Sequence, residues 1–201
     1  GVLTHAGDSY ECKTTAEIEA AAEAERAGIV LAAERLRAAG HTVKIVSAGS
    51  TPTLMFAKDE TGVTEMRAGV CALFDLFMSN VGACTVDDIA GSVLATVIGR
   101  QVDKRRVILD CGFLALSRDR GTARQAHDYG YGLVCGLDGK PLADGTIVLT
   151  GTNQEHGILT LPENSPLTQE DFPIGRRLRI LPNHACPTAA PVSYTHLRAH
   201  E

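Results

Sequence analysis

The sequence lacks a long apolar run. Its longest, such as Gly91–Gly99, reach about ten residues, half of what a membrane-spanning helix needs. It also lacks a basic excess. Nineteen Lys and Arg against 24 Asp and Glu give a formal net charge of −5, which argues against an electrostatic footprint for nucleic acid. The chain opens GVLTHAG, with no Met and no basic stretch before an apolar one. No signal peptide is visible, and residue 1 is expected not to be the native start. No CxxC pair exists. The six cysteines (Cys12, Cys71, Cys84, Cys111, Cys135 and Cys186) are irregularly spaced, which predicts mostly buried thiols of a cytosolic protein rather than a disulfide framework. No internal repeat is present. What remains is a chain of 201 residues, 44% hydrophobic and 21% charged. That composition excludes a disordered or collagen-like chain, and the length suits one large domain or two small ones.

Two halves differ in pattern. Residues 1–80 mix helix and strand signals. Gly1–His5 reads as a strand end. Thr14-x-x-Glu17 is a capping box opening a helix that runs to about Ala39, with Gly40 as its stop. Ile18, Ala21, Ala22, Ile29, Leu31, Ala32 and Leu36 form its expected apolar face. Thr42–Ser47 reads as a strand, and Glu65–Gly69 leads into a third, so the first half predicts a parallel βαβ unit. Residues 100–190 predict antiparallel structure. Strands are expected at Arg106–Leu109, at Leu133–Leu137 and Lys140–Leu142 around an Asp138-Gly139 turn, at Thr146–Thr150 paired with Gly157–Leu161, and at the alternating Arg177–Leu181.

Several segments carry residue types that do chemistry. Gly49-Ser50-Thr51 follows a strand and suits either a phosphate cradle or an ordinary turn. Arg67-Ala68-Gly69-Val70 offers close backbone approach and a guanidinium, or a turn with a surface Arg. His5 and Tyr10 follow the first strand, on the edge that bears active sites in barrel folds, or belong to a helix-entry loop. In an extended His184-Ala185-Cys186, imidazole and thiol would share a face as two ligands of a zinc ion with open positions; the alternative is a buried Cys beside a surface His. Gln154-Glu155-His156-Gly157 and the His127–Gly132 segment read as substrate-orienting groups or plain loops.

Six of these stretches occur in a recognisable order: THAGDSYEC (Thr4–Cys12), VSAGSTPT (Val46–Thr53), EMRAGVCALFD (Glu65–Asp75), LDCGFLALSRDRG (Leu109–Gly121), NQEHG (Asn153–Gly157) and LPNHACPTAA (Leu181–Ala190). Together they resemble the D-serine dehydratase / D-threonine aldolase family of fold-type III pyridoxal-phosphate enzymes, relatives of alanine racemase. The resemblance covers about residues 1–190. It implies an α/β plus β architecture: the C-terminal part of an alanine-racemase-like (β/α)8 barrel over residues 1–95, then a mostly antiparallel β-domain over 96–191. Val192–Glu201 resembles translated adapter DNA and is expected to be non-native, so His196 and His200 should carry no function.

The resemblance also implies roles. Gly49, Ser50, Thr51, Gly69 and Val70 would cradle the phosphate of pyridoxal 5'-phosphate, Arg67 would face the cofactor ring nitrogen, and Tyr10 and His5 would line the barrel mouth. His184 and Cys186 would hold zinc near the substrate 3-hydroxyl. Cys186, where the aldolase branch carries Asp, favours dehydration of D-serine or another 3-hydroxy-D-amino acid to a keto acid and ammonia. Retro-aldol cleavage to glycine and an aldehyde, and a non-catalytic cofactor-binding protein, are the alternatives. The expected partner is a small D-amino acid, in a cytoplasmic protein whose full-length form would be a homodimer, with neither nucleic acid nor membrane. The family's Schiff-base lysine has no counterpart among Lys13, Lys44, Lys58, Lys104 and Lys140. The chain therefore resembles a fragment, expected to be inactive and poorly soluble alone.

Overall fold

A computed structural model describes residues 1–190. The tail set apart above, Val192–Glu201 with His196 and His200, lies outside them. The chain divides into two compact units, Gly1–Ala72 with Met78–Cys84, and Leu73–Phe77 with the residues from Thr85 onward.

The first unit holds a parallel sheet of three short strands in the order β1 (Val2–Leu3), β2 (Val46–Ala48), β3 (Glu65–Met66), with Val2 opposite Val46 and Ser47 opposite Glu65. The helix α1 (Thr15–Ala38) connects β1 to β2, which makes the expected βαβ unit. Thr14 caps α1: its Oγ1 accepts from the Glu17 amide at 3.2 Å while the Glu17 carboxylate accepts from the Thr14 amide at 3.2 Å. The helix ends as Gly40 predicts. Gly40 takes φ +89, the His41 amide reaches back to the Leu36 carbonyl, and the Gly40 amide bonds Arg37. Its buried face is Ile18, Ala22, Glu25, Ile29 and Ala33, spaced at one helical turn. Leu31 and Leu36, expected on that face, are exposed, and the buried position between Ala22 and Ile29 is a carboxylate. Strand β2 begins later than the sequence suggests, and β3 is limited to two residues.

The second unit is an antiparallel sheet of six strands: β4 (Val93–Gln101), β5 (Arg106–Leu109), β6 (Leu133–Cys135), β7 (Leu149–Thr152), β8 (Gly157–Thr160) and β9 (Arg177–Leu181), in the order β6-β9-β4-β5-β8-β7. The sheet curls until its ends meet. The Val134 amide bonds Ile147, the Tyr131 amide bonds Leu149, and the Leu149 amide bonds Gly132, all at 2.8–3.0 Å. Closure of this kind satisfies edge groups that an open sheet would expose. Inside lie Ala95, Val97, Val107, Leu109, Leu149, Leu159, Phe172, Leu178 and Ile180. The Asp138-Gly139 turn forms as predicted, although β6 stops at Cys135 and only a single bridge to Pro141 continues it.

The cysteine expectation needs correction. All six are free thiols, but only Cys111 and Cys135 are buried; Cys12 and Cys84 are half-buried, and Cys71 and Cys186 are exposed. No helix among the described residues is long and apolar enough to cross a membrane.

Candidate functional site

Because β1, β2 and β3 run parallel, the segments that follow them gather at one edge of the sheet, where open α/β sheets bind ligands. After β1 come His5, exposed, and Tyr10 in a 3-10 turn, their ring centroids 6.0 Å apart. After β2 come Gly49, Ser50 and Thr51. After β3 come Arg67, Gly69 and Val70. Gly49 sits at φ +109, and a Cβ there would stand 3.0 Å from the Arg67 amide nitrogen, so the two loops touch backbone to backbone. Ser50 caps a six-residue helix α2 (Thr51–Phe56), which the sequence reading did not anticipate.

The buried Glu25 organises this edge. One of its oxygens accepts from the Ala6 amide (3.0 Å) and the Gly49 amide (3.1 Å), and the other from the Thr53 hydroxyl (2.8 Å). The Ser50 amide donates to Thr53 Oγ1 at 2.9 Å, and the Val70 amide to Thr51 Oγ1 at 3.0 Å. Three amides of the expected phosphate cradle therefore already have protein acceptors. At Gly69 there is open space, where a Cβ would find Thr51 Oγ1, at 3.9 Å, as its nearest neighbour. Arg67 donates to the Thr4 carbonyl, to Ser47 Oγ at 2.5 Å and to the Gly49 carbonyl at 3.4 Å, which ties the ends of β1 and β2 to β3.

The second candidate lies wholly in the second unit, where β9 ends. The carbonyls of Pro182 and Asn183 accept from the amides of Leu76 and Phe77. The chain then coils into a helical turn over residues 185–190. This corrects the expectation of an extended His184-Ala185-Cys186. The Ala185 amide donates at 2.8 Å to Oδ2 of Asp75, a fully buried carboxylate, and the turn starts there. His184 precedes the turn and Cys186 lies within it, so the alternation argument for a shared face fails although the two remain neighbours about one anchored residue.

His184 is held from two sides. Its Nδ1 lies 2.8 Å from Asp119 Oδ2, and its ring meets Phe77 edge-on at 5.6 Å. A carboxylate only accepts, so this contact places the hydrogen on Nδ1 and leaves the Nε2 lone pair for a ligand. Partial burial, with the Asp75 carboxylate adding to it, raises the Cys186 thiol above its ordinary pKa; a bound cation would favour the thiolate instead. Among the described residues no group of three or more His, Cys, Asp or Glu could hold a metal ion. One imidazole and one thiol would leave a bound metal with open positions, as catalytic ions have.

Asp119, Asp75 and Glu25 received no role from the sequence. The signal was present for two of them, since Asp75 closes one quoted motif and Asp119 stands two residues before the end of another. His156 and Glu155 are exposed loop residues, and His127 is exposed with its ring 5.3 Å from Tyr129.

Comparison with known proteins defines the class. Residues 90–197, more than half of the chain, match the family described as "Putative serine dehydratase domain", and the chain belongs to that family. Among individual relatives, it is 57% identical over 192 residues to the D-threo-3-hydroxyaspartate dehydratase of Delftia sp. (strain HT23), a match covering 94% of this chain and 50% of that one. The solved structure of that enzyme superposes with a TM-score of 0.85. The D-serine dehydratase of Dictyostelium discoideum is 31% identical over 201 residues, covering 98% of this chain and 50% of that protein. An alanine racemase-like protein from Idiomarina loihiensis superposes with a TM-score of 0.86 at 46% identity, covering 94% of this chain and 50% of that one. The chain thus spans about half the length of these relatives. Solved structures of D-threo-3-hydroxyaspartate dehydratase similar to this chain include a His-to-Ala variant and a Cys-to-Ala variant in the metal-free form, the two replaced positions standing two apart.

Proposed function

We propose that the chain is part of a pyridoxal-phosphate- and zinc-dependent lyase that removes water from a 3-hydroxy-D-amino acid, D-serine or 3-hydroxyaspartate, to give a keto acid and ammonia. The observation that carries the reading is the anchored His184–Ala185–Cys186 segment, with Nε2 directed by the Asp119 contact and the thiol one residue beyond the amide that Asp75 holds. The same His-x-Cys spacing among the solved dehydratase variants supports it. The first unit, in this reading, is the end of a (β/α)8 barrel, and the second the β-domain that carries the metal-ligand pair.

When bound, the cofactor spreads the charge that develops at Cα and the metal polarises the 3-hydroxyl as a Lewis acid. The chain's residues do the rest. His184 Nε2 and Cys186 Sγ bind the metal. Thr51 and Gly69 border the phosphate site, with Gly49, Ser50 and Val70 forming its wall. Glu25 and Arg67 fix the loops that bear them, and His5 and Tyr10 flank the entrance. The whole protein is proposed to be a cytoplasmic homodimer.

The test is keto-acid release from D-serine and from D-threo-3-hydroxyaspartate by a full-length protein carrying these residues, before and after chelation. Release that stops on chelation and returns with zinc is expected. Release indifferent to a chelator that strips the metal would remove the zinc role.

A further inference from the structure

Asp119 does more than touch His184, because the surrounding loop is built to hold its carboxylate still. Its amide donates to Ser117 Oγ at 3.1 Å, and its other oxygen, Oδ1, accepts from the Gly121 amide at 2.8 Å. Asn183, buried and adjacent to the histidine in sequence, donates from Nδ2 to the Asp119 carbonyl at 3.1 Å and to the Gly130 carbonyl at 2.7 Å. Thr122 donates to Asn183 Oδ1 at 3.4 Å and accepts from the Tyr129 amide at 3.2 Å. The ring of Phe77 fills the space where Gly121 would carry a Cβ, at 1.6 Å from that position, and presents its other contact to His184. One network therefore fixes the carboxylate and the imidazole relative to each other.

We infer, on the reading that His184 and Cys186 are metal ligands, that Asp119 is the positioning residue for the histidine: it fixes the Nδ1–H tautomer and aims Nε2 at the metal. A free imidazole divides its proton between two nitrogens and samples ring orientations, so part of the population cannot ligate. A carboxylate at Nδ1 removes both losses. Loss of such an outer partner typically lowers metal affinity about 10- to 100-fold. Asp119→Asn keeps an oxygen that can accept from Nδ1–H but removes the charge, and so separates the hydrogen bond from the charge.

Two measurements on the full-length protein carrying these residues test this. The first is zinc affinity by competition with a chromophoric chelator for the wild type, Asp119→Ala, Asp119→Asn, and His184→Ala. Wild type should bind one ion and His184→Ala should not bind it tightly. Asp119→Ala should bind about 10- to 100-fold more weakly, with Asp119→Asn between the two. The second needs no variant to fold: 15N NMR of the metal-free wild type should show the neutral His184 ring protonated at Nδ1. Wild-type binding of zinc with an affinity unchanged in Asp119→Ala, or an Nε2-protonated His184, overturns the role of Asp119 and leaves the metal reading standing. Failure of the wild type to take up zinc overturns both.

Discussion

Single buried carboxylates set the geometry on both units, and Glu25 is the plainest case. It is 8% exposed and accepts three hydrogen bonds, from the Ala6 and Gly49 amides and the Thr53 hydroxyl. Replacing it by Ala strands two loop amides and a hydroxyl away from water. Glu25→Ala should cost about 2–4 kcal/mol in urea unfolding, and Glu25→Gln, which keeps one acceptor oxygen, clearly less. Equal losses for both variants would show that packing, not hydrogen bonding, is the role of this side chain. Thiol chemistry gives a second expectation at this scale. Burial pushes Cys111 up to about 12 and Cys135 up to about 11. The thiolate is the reactive form, so a raised pKa means less of it at pH 8. In the native chain both should stay silent to a disulfide reagent at pH 8 while exposed Cys71 reacts, and both should react once the chain is unfolded. Rapid native labelling of Cys111 would place it outside the closed sheet.

Among the elements, α1 was legible because its signals are local: a capping residue, an acid three positions on, and a glycine at the stop. Its pH dependence follows. Hydrogen bonds from the Lys13 and Thr14 amides hold the Glu17 carboxyl below its usual range. A depressed carboxylate contributes stability above its unfolded pKa and loses it as pH falls through the lower folded value. Glu17→Gln should therefore lower the melting temperature by a margin that is constant near neutral pH and narrows below the ordinary carboxylate range, where the wild-type carboxylate itself protonates. A margin that does not change down to strongly acid pH would deny Glu17 its part in the cap. Strand β9 was legible for a similar reason, since Arg177, Leu178, Arg179 and Ile180 alternate exposed and buried as their types do. Strand β4, the longest, was not. Leu94 and Ile98 are exposed apolar residues on the face opposite Ala95 and Val97, so the run shows no period of two. Helix α2 was hidden by brevity, and the turn after His184 by distance, for its anchor Asp75 lies 110 positions away.

For the whole molecule, the order of six short motifs pointed to the family that the comparisons then bore out, while the arrangement of site residues needed the structure. The eight candidate cofactor residues do follow three parallel strands, but which amides remain for a ligand depends on Glu25, whose place on the helix face reads from sequence as one more charge. The lysines allow a direct check. Lys58, for instance, is an exposed partner of Glu19 at 2.6 Å. Incubation of the chain with pyridoxal phosphate, borohydride reduction and peptide mapping should yield no stoichiometric lysine adduct, and a single fully modified lysine would assign the covalent role within this sequence.

The double anchoring of His184–Cys186 has a consequence for maturation. Its two carboxylates come from positions 65 and 110 residues earlier in the chain. During synthesis both are made long before the pair they hold, and contacts so far apart form only as the sheet closes. Until then a histidine and a thiol two residues apart are a loose, weak chelate that scavenged ions can enter and leave. On the proposed metal reading, selection of the ion waits for the folded chain, and loading is a late event that certifies the unit as assembled.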